Sequence, residues 1–409
     1  MIKSSKVSLK FTNPAKAKQL SVFIAEYQNV VSKFVDALWD VEDMPSLLPK
    51  EITSQISTWL SARALQCVGK QASGIVRGTQ KKQKQRLWMI NKLTEEGRFK
   101  QARKLQRIYD ATVVTKPNIV AVEPELDRRF VKIDLDNKTS FDGWLTLTSL
   151  GNKLKIVIPF KKTRHFNKLL QAGSLKRGIR LSEHNLTVMF DLPDVPKKEN
   201  GTILGIDVGQ TTTLSCSNGI TSQKNKHGHD LSTISDKLAR KRKGSKSFHR
   251  SAEHRRNYIN WTINQLDLSG VKQANLEGIK NLRKGKSYSR RLSHWTYTEI
   301  FGKLESYCNE QGVLVRKVNP IYTSQRCSCC GWTSKSNRTG KVFKCARCGN
   351  ICDADLNASR NIALPLIGIS NQQLLKRINR TGFYWLVEGQ EPIVPAVAKH
   401  FSMDCNAFQ

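Results

Sequence analysis

Apolar residues recur every three or four positions through the first quarter of the chain, and then the period shortens toward two. After a short alternating segment at 7–11, Leu20, Phe23, Ile24, Tyr27, Val30, Val31, Phe34 and Leu38 fall on one helical face. Asn13 supplies the N-cap and Pro14 the first turn of that helix. A second helical pattern runs through Ile52, Ile56, Leu60, Ala64 and Cys67, and a third, from about Gln80 to Tyr109, through Leu87, Ile90, Leu105 and Ile108. From about Thr112, β-branched and aromatic runs at 130–135, 144–150, 154–160, 178–181 and 186–192 alternate with Asn, Asp, Gly and Lys turns. This predicts an antiparallel β domain built as a small barrel. Residues 193–201, with Pro196, Lys197, Lys198 and Asn200, read as a linker. Beyond it, runs at 203–206 and 211–215 flank a glycine turn. A helical stretch at 230–268, a strand at 273–276, an amphipathic helix bearing Trp295, Ile300, Phe301, Leu304, Tyr307 and Cys308, and a strand at 313–318 follow. That alternation is an α/β pattern. With 409 residues, two or three domains are expected.

Charge narrows the partners. The chain carries 68 Lys+Arg against 33 Asp+Glu, a formal net charge of +35, which favours a polyanion over a small-molecule substrate. Membrane insertion is excluded on length: the longest uncharged apolar stretch, 362–369, contains Pro365 and Gly368 and falls short of the roughly 20 residues a spanning helix needs. Met1-Ile2-Lys3-Ser4-Ser5-Lys6 leads into an alternating segment and not a signal-type apolar block, so an intracellular, cytoplasmic and nucleoid-associated protein is expected. Two stretches concentrate the cations. Lys81, Lys82, Lys84, Arg103 and Arg107 lie in the third helical pattern. Lys237, Arg240, Lys241, Arg242, Lys243, Lys246, Arg250, Arg255 and Arg256 lie at 230–268, interleaved with Phe248, His249, His254 and Tyr258. A solvated helix face explains such runs in many proteins; in a chain this basic, phosphate contact is the sharper expectation.

Six of the ten cysteines fall between 327 and 352. Cys327-x-x-Cys330 and Cys345-x-x-Cys348 are each followed at once by glycine, Gly331 and Gly349, a spacing that suits one tetrahedral Zn²⁺. Four ligands leave no open position, so the role is structural. Cys329 and Cys352 are surplus, although a register shift would exchange Cys329 for Cys330. Cys67, Cys216, Cys308 and Cys405 read as small buried hydrophobes.

Three acidic motifs remain. Gly205-Ile206-Asp207-Val208-Gly209 places a carboxylate at a strand end, with glycines that leave a metal ion or phosphate room to approach the backbone. Asn275-Leu276-Glu277-Gly278 repeats the arrangement, and Asp353-Ala354-Asp355 opens a helix, where one Asp serves as cap. Each alone is an ordinary turn or cap. Together, in a polycation, they point to chemistry, because acids repel phosphates unless a divalent cation lies between. Two Mg²⁺ ions held by such carboxylates activate water and stabilise the leaving oxygen in phosphodiester hydrolysis.

In this order the motifs resemble the transposon-encoded TnpB proteins and the compact type V CRISPR effectors similar to them. The resemblance rests on Gly-Ile-Asp-x-Gly at 205–209, on Glu277 followed by Ile279 and Leu282, and on Thr323-Ser324-Gln325 opening the double Cys-x-x-Cys-Gly ribbon. Asp353-Ala354-Asp355-x-Asn357-Ala358-x-Arg360-Asn361-Ile362 completes it. Ser359 stands where the family more often has Ala. The specific motifs cover 203–362; before that only the layout matches. The resemblance implies a multidomain α+β and α/β protein. Its parts would be a first wedge strand at 1–12, a helical recognition domain at 13–111 and a β-barrel wedge at 112–197. An RNase H-like RuvC nuclease at 198–322 and 353–409 would be interrupted by a zinc ribbon at 323–352. It implies Asp207, Glu277 and Asp355 as the catalytic, magnesium-binding acids, and a guide RNA and target double-stranded DNA as partners, with a monomer or homodimer around one RNA. The activity implied is RNA-guided DNA cleavage. A guide-independent RuvC nuclease and a cleavage-inactive guided repressor are the alternatives.

Overall fold

The structure, a computed structural model, describes residues 1–41, 48–136, 139–279, 294, 296–366, 368 and 382–388. The chain divides into two compact units, Met1–Asp194 and Val195–Gln409. Asn281, Leu282, Trp295, Phe401 and Cys405 lie outside the described residues. Among those described, no helix is long and apolar enough to cross a membrane.

The first unit opens with β1 (Ile2–Ser8) and α1 (Pro14–Leu38). The Asn13 side chain accepts from Ala15 N at 2.9 Å, and every residue of the expected apolar face is buried. A short α2 (Lys50–Ser54) precedes α3 (Ala62–Glu95), capped by Ser61, and α4 (Phe99–Asp110) returns after Gly97, whose φ of 69° turns the chain. The second and third helical patterns are therefore corrected. Ile52 belongs to α2, Ile56 and Leu60 are not helical, and α3 runs without interruption from Ala62 past Lys81, Lys82 and Lys84. Its first half is buried by Ala64, Val68, Ala72 and Val76 at four-residue spacing; its basic second half is largely solvated, with Ile90 and Leu93 buried near its end.

The β portion contains β2 (Glu125–Leu126), β3 (Val131–Asp134), β4 (Gly143–Leu147), β5 (Ile156–Phe160), α5 (Arg164–Ala172), β6 (Ser174–Leu181) and β7 (Asn185–Asp191). These form two antiparallel sheets, ordered β1-β7-β6-β2 and β3-β4-β5, over one shared core. The expected barrel is not closed among the described residues. Closure needs a continuous hydrogen-bonded circuit, and α5 intervenes instead. Its Phe166 ring lies 6.1 Å from Phe160 of one sheet and 5.0 Å from Phe190 of the other, so side-chain packing joins what strand pairing does not.

The second unit is built on a sheet ordered β11-β10-β8-β9, comprising β8 (Thr202–Asp207), β9 (Ser215–Cys216), β10 (Val271–Glu277) and β11 (Leu314–Val318). β8, β10 and β11 are parallel, and β9 runs antiparallel at the edge. Leu204, Ile206, Ala274 and Leu276 face one side, where they pack with α6 (Leu231–Ala239), α7 (Lys246–Asn264) and α8 (Tyr297–Glu310). Gly205 and Asn275 face the other side, which receives α9 (Ala354–Ala363). The single basic helix expected at 230–268 is two helices. The chain leaves α6 after Ala239, passes Gly244 at φ 84° and re-enters at Lys246 under a Ser245 cap.

The ribbon lies between β11 and α9. It comprises β12 (Trp332–Thr333), β13 (Arg338–Thr339), β14 (Val342–Lys344) and β15 (Ile351–Asp353), and β12 pairs with the late strand β16 (Phe383–Tyr384).

Candidate active site and metal centre

Asp207 ends β8 and Glu277 ends β10. The parallel register pairs Ile206 with Leu276, so both acids leave the sheet at the carboxyl ends of neighbouring strands, the usual crevice for ligands in open α/β sheets. Asp355 arrives from the first turn of α9. The two late acids divide the work: Asp353 Oδ1 accepts from Asp355 N at 2.9 Å and from Leu356 N at 3.0 Å, capping the helix, which leaves the Asp355 carboxylate free to reach elsewhere. It meets Arg338 Nη2 at 3.3 Å and the Lys341 ammonium, both from the ribbon hairpin, and is only 6% exposed. Lys341 also donates to Thr212 Oγ1 at 3.1 Å.

The three acids share an electrostatic environment. Burial, then the negative charges of Glu277 and Asp355, push Asp207 up to about 7, and Arg338 and Lys341 only partly offset them. Glu277 is likewise raised by burial, against a 2.7 Å hydrogen bond donated by Thr323 Oγ1 and the charge of Arg338. Crowding of buried carboxylates in this way favours a cation. Divalent ions fit the donor set, since all three groups offer hard oxygen ligands. The three acids do not form a cluster as tight as the cysteines, which among the described residues are the one group of three or more candidate ligands whose atoms all lie within 4.8 Å of one another.

Gly205 has a different role from the one its motif suggested. A Cβ there would stand 2.0 Å from Ser359 O and 2.5 Å from Ala363 N, so the missing side chain admits the backbone of α9 and not a ligand. Asn275 reinforces the contact by donating to Ile362 O at 2.9 Å.

In the ribbon, Cys327, Cys330, Cys345 and Cys348 form the tight group, with Sγ separations of 3.7 Å for Cys327–Cys348 and 3.6 Å for Cys330–Cys345. Gly331 and Gly349, at φ 79° and 76°, close the two knuckles. Their amides donate to Cys327 O and Cys345 O at 2.9 and 3.1 Å. Four convergent sulfurs fit a tetrahedral thiophilic metal ion. Cys330, and not Cys329, joins the group; Cys329 lines a separate cavity with Asn350 and Arg360. Cys352 accepts from Asn350 Nδ2 at 3.9 Å.

Sequence reasoning missed the groups that tie the ribbon to α9. Asn357 Nδ2 donates to Arg326 O at 2.8 Å, and Asn361 Nδ2 donates to Arg326 O and Thr323 O at 2.7 and 2.9 Å. Arg326, 3% exposed, donates to Trp385 O, Asn361 Oδ1 and Cys327 O. Asn357 and Asn361 stand four apart on one helix face, a readable signal; Arg326, Arg338 and Lys341 are lost among 68 cations.

The expected phosphate contacts separate by environment. Lys81, Lys82, Lys84, Arg103 and Arg107 are exposed on α3 and α4. Lys237 ends α6, Arg240, Lys241, Arg242 and Lys243 follow it outside any helix, and Lys246 and Arg250 begin α7. Arg255 turns inward instead, donating to His294 O at 2.9 Å and lying 3.8 Å from Glu299, which Arg256 also meets at 3.4 Å. Replacing Arg107 with Gln should lower the slope of nucleic-acid affinity against log salt by about 1. Arg255→Gln should leave that slope unchanged and lower thermal stability.

Residues 297–362 match the family model described as "Cas12f1-like, TNB domain". A CRISPR-associated endodeoxyribonuclease Cas12f1 of Sulfoacidibacillus thermotolerans is 36% identical over 147 residues, covering 34% of this chain and 32% of that protein. A TnpB-like protein of Aquifex aeolicus is 32% identical over 91 residues, covering 21% and 29%. The chain thus spans about a third of the length of these relatives. The solved structure of a mini-RNA-guided endonuclease, CRISPR-Cas_phi3, superposes with TM-score 0.51 at 12% identity, over 89% of this chain and 92% of that one, which shows a shared fold. By these matches the chain is related to the TnpB-like proteins and to the compact type V effectors.

Proposed function

We propose that the protein is an RNA-guided DNA endonuclease that hydrolyses phosphodiester bonds at a RuvC-type, RNase H-like site. Asp207, Glu277 and Asp355 would hold two Mg²⁺ ions there, and one structural Zn²⁺ would occupy the four-cysteine ribbon. The observation that carries this reading is the crowding at Asp207. An acid raised to about 7 by its burial and then by the charges of Glu277 and Asp355, in a chain of net charge +35, is an arrangement suited to receive cations beside a polyanion.

When bound, the magnesium ions would supply an activated water and neutralise charge on the leaving oxygen. The chain's own residues do the rest. Asp207 and Glu277 are fixed by strand ends, and Thr323 orients Glu277 by its hydrogen bond. Arg338 and Lys341 hold Asp355 in place, and their positive charges would favour a phosphate brought to this carboxylate. The exposed cations of α3, α4 and the α6–α7 connection hold nucleic-acid backbone, while base pairing between a guide RNA and the target strand supplies sequence choice.

The test is to purify the protein without nuclease treatment and examine what travels with it. One discrete RNA, with Mg²⁺-dependent cutting of DNA complementary to part of it, is the expected result. Cutting with no RNA bound would favour a guide-independent nuclease, and bound RNA with no cutting a repressor.

A further inference from the structure

Among the described residues, Arg326 is a buried cation with no acid against its guanidinium. It is 3% exposed, and none of its guanidinium contacts is a carboxylate: Nε donates to Trp385 O at 2.7 Å, and Nη1 to Asn361 Oδ1 at 2.7 Å and Cys327 O at 3.1 Å. Neutral acceptors satisfy its hydrogen bonds but do not balance its charge. The guanidinium lies beneath the first cysteine knuckle, since a Cβ on Gly331 would stand 3.2 Å from Arg326 Nη2. Four thiolates around one divalent ion carry a net charge of about −2. Two cations flanking the second knuckle, Lys344 and Arg347, are exposed, the latter with its guanidinium 4.4 Å from the Trp332 ring.

We propose that Arg326 is the counter-ion of the metal-loaded four-cysteine cluster, and that it couples loading of the ribbon to the placement of the nuclease acids. This rests on the reading of the cysteines as a metal centre. With metal bound, the buried positive charge faces a dianion; with thiols alone it faces no compensating charge. The coupling runs through three hydrogen bonds. Asn361 Oδ1 accepts from Arg326 and belongs to α9, the helix that carries Asp355. Asn361 Nδ2 donates to Thr323 O, and the Thr323 hydroxyl donates to Glu277. Arg326 is thus a positioning residue acting through Asn361 and Thr323.

The test separates charge from hydrogen bonding in the full-length chain. Arg326→Gln keeps amide donors and removes the charge, whereas Arg326→Lys keeps the charge. Zinc affinity, measured by chelator competition, should fall roughly 10–100-fold in Arg326→Gln and recover most of that loss in Arg326→Lys. The metal-free unfolding transition of Arg326→Gln should be no lower than that of the wild type. Hydrogen-exchange protection of the α9 amides should rise on zinc loading in the wild type and rise less in Arg326→Gln. Equal loss of zinc affinity in both variants, or equal loss of thermal stability with and without zinc, would overturn the proposal in favour of packing alone. Absence of bound zinc in the wild-type chain would overturn the metal-centre reading and this inference with it; zinc bound indifferently to the charge at 326 would overturn the inference only.

Discussion

Asp207→Asn should abolish Mg²⁺-dependent DNA cleavage, by at least about 10²–10³-fold, while making the metal-free protein more stable. The two effects have one cause. In the folded chain Asp207 is pushed up to about 7, above its ordinary value of 3.8, by burial and by Glu277 and Asp355. The native state therefore holds a proton that the unfolded state has released across that interval. Stability from this group is fully present below about pH 4, is lost progressively as pH rises toward 7, and stays lost above it. Three pKa units correspond to a few kcal/mol, on the order of 4 before allowance for coupling among the acids. Asparagine has the same shape and no charge to bury, so its metal-free unfolding temperature should exceed that of the wild type at pH 8 and approach it at pH 4. Added Mg²⁺ should reverse the ranking, because only the carboxylate gains a ligand. Calorimetry at both pH values, with and without Mg²⁺, reads all four cases. A variant no more stable than wild type at pH 8 without metal would show that the three acids do not crowd one another, and the hydrolytic reading would lose its basis.

What was legible in the chain is what local chemistry encodes. The α1 face was readable because Asn13, Pro14 and the apolar spacing are consecutive signals that tertiary packing did not need to override. The parallel strands ending at Asp207 and Glu277 were readable as apolar runs stopped by an acid and a glycine. The knuckles were readable because Cys-x-x-Cys-Gly states both its ligands and its turn. The rest depends on encounters between distant segments. The β runs looked like barrel staves because alternation marks a half-buried strand but not its neighbour; Phe166, on a helix that the alternation did not announce, joins the two sheets by ring packing where strand pairing does not. Ile56 and Leu60 extended a helical period by coincidence, and Ser61 starts the real helix. Arg338 and Lys341 reach Asp355 only because the ribbon hairpin folds over α9, and no spacing in a chain so rich in cations distinguishes them. Gly205 is the instructive error: a glycine beside a candidate catalytic acid invites a ligand explanation, whereas it admits the helix that delivers another of the acids.

Gly205→Ala is accordingly expected to be among the most damaging single-methyl changes in the second unit. The new Cβ would lie 2.0 Å from Ser359 O and 2.5 Å from Ala363 N, both backbone atoms of α9, so no side-chain rotation relieves the clash. Either the helix lifts from β8 or the strand bends. Overpacking of this kind costs about 3 kcal/mol or more when backbone must move. Lifting α9 would also strain Asn275 on Ile362 O and shift Asp355 relative to Asp207 and Glu277. Gly302→Ala provides the opposite case in the same unit. Gly302 lies within α8 and is exposed, and among the described residues outside its own helix backbone no heavy atom lies within 4 Å of a built Cβ, so alanine there should stabilise by about 0.5–1 kcal/mol through helix propensity. The same added methyl group should thus lower the unfolding transition at 205 and raise it at 302. Hydrogen exchange should place the loss at 205 in α9 and β8, with α1 of the first unit unaffected. A Gly205→Ala protein as stable as the wild type, with α9 equally protected, would mean that the helix does not seat on β8 at this glycine, and the delivery of Asp355 to the strand ends would need another explanation.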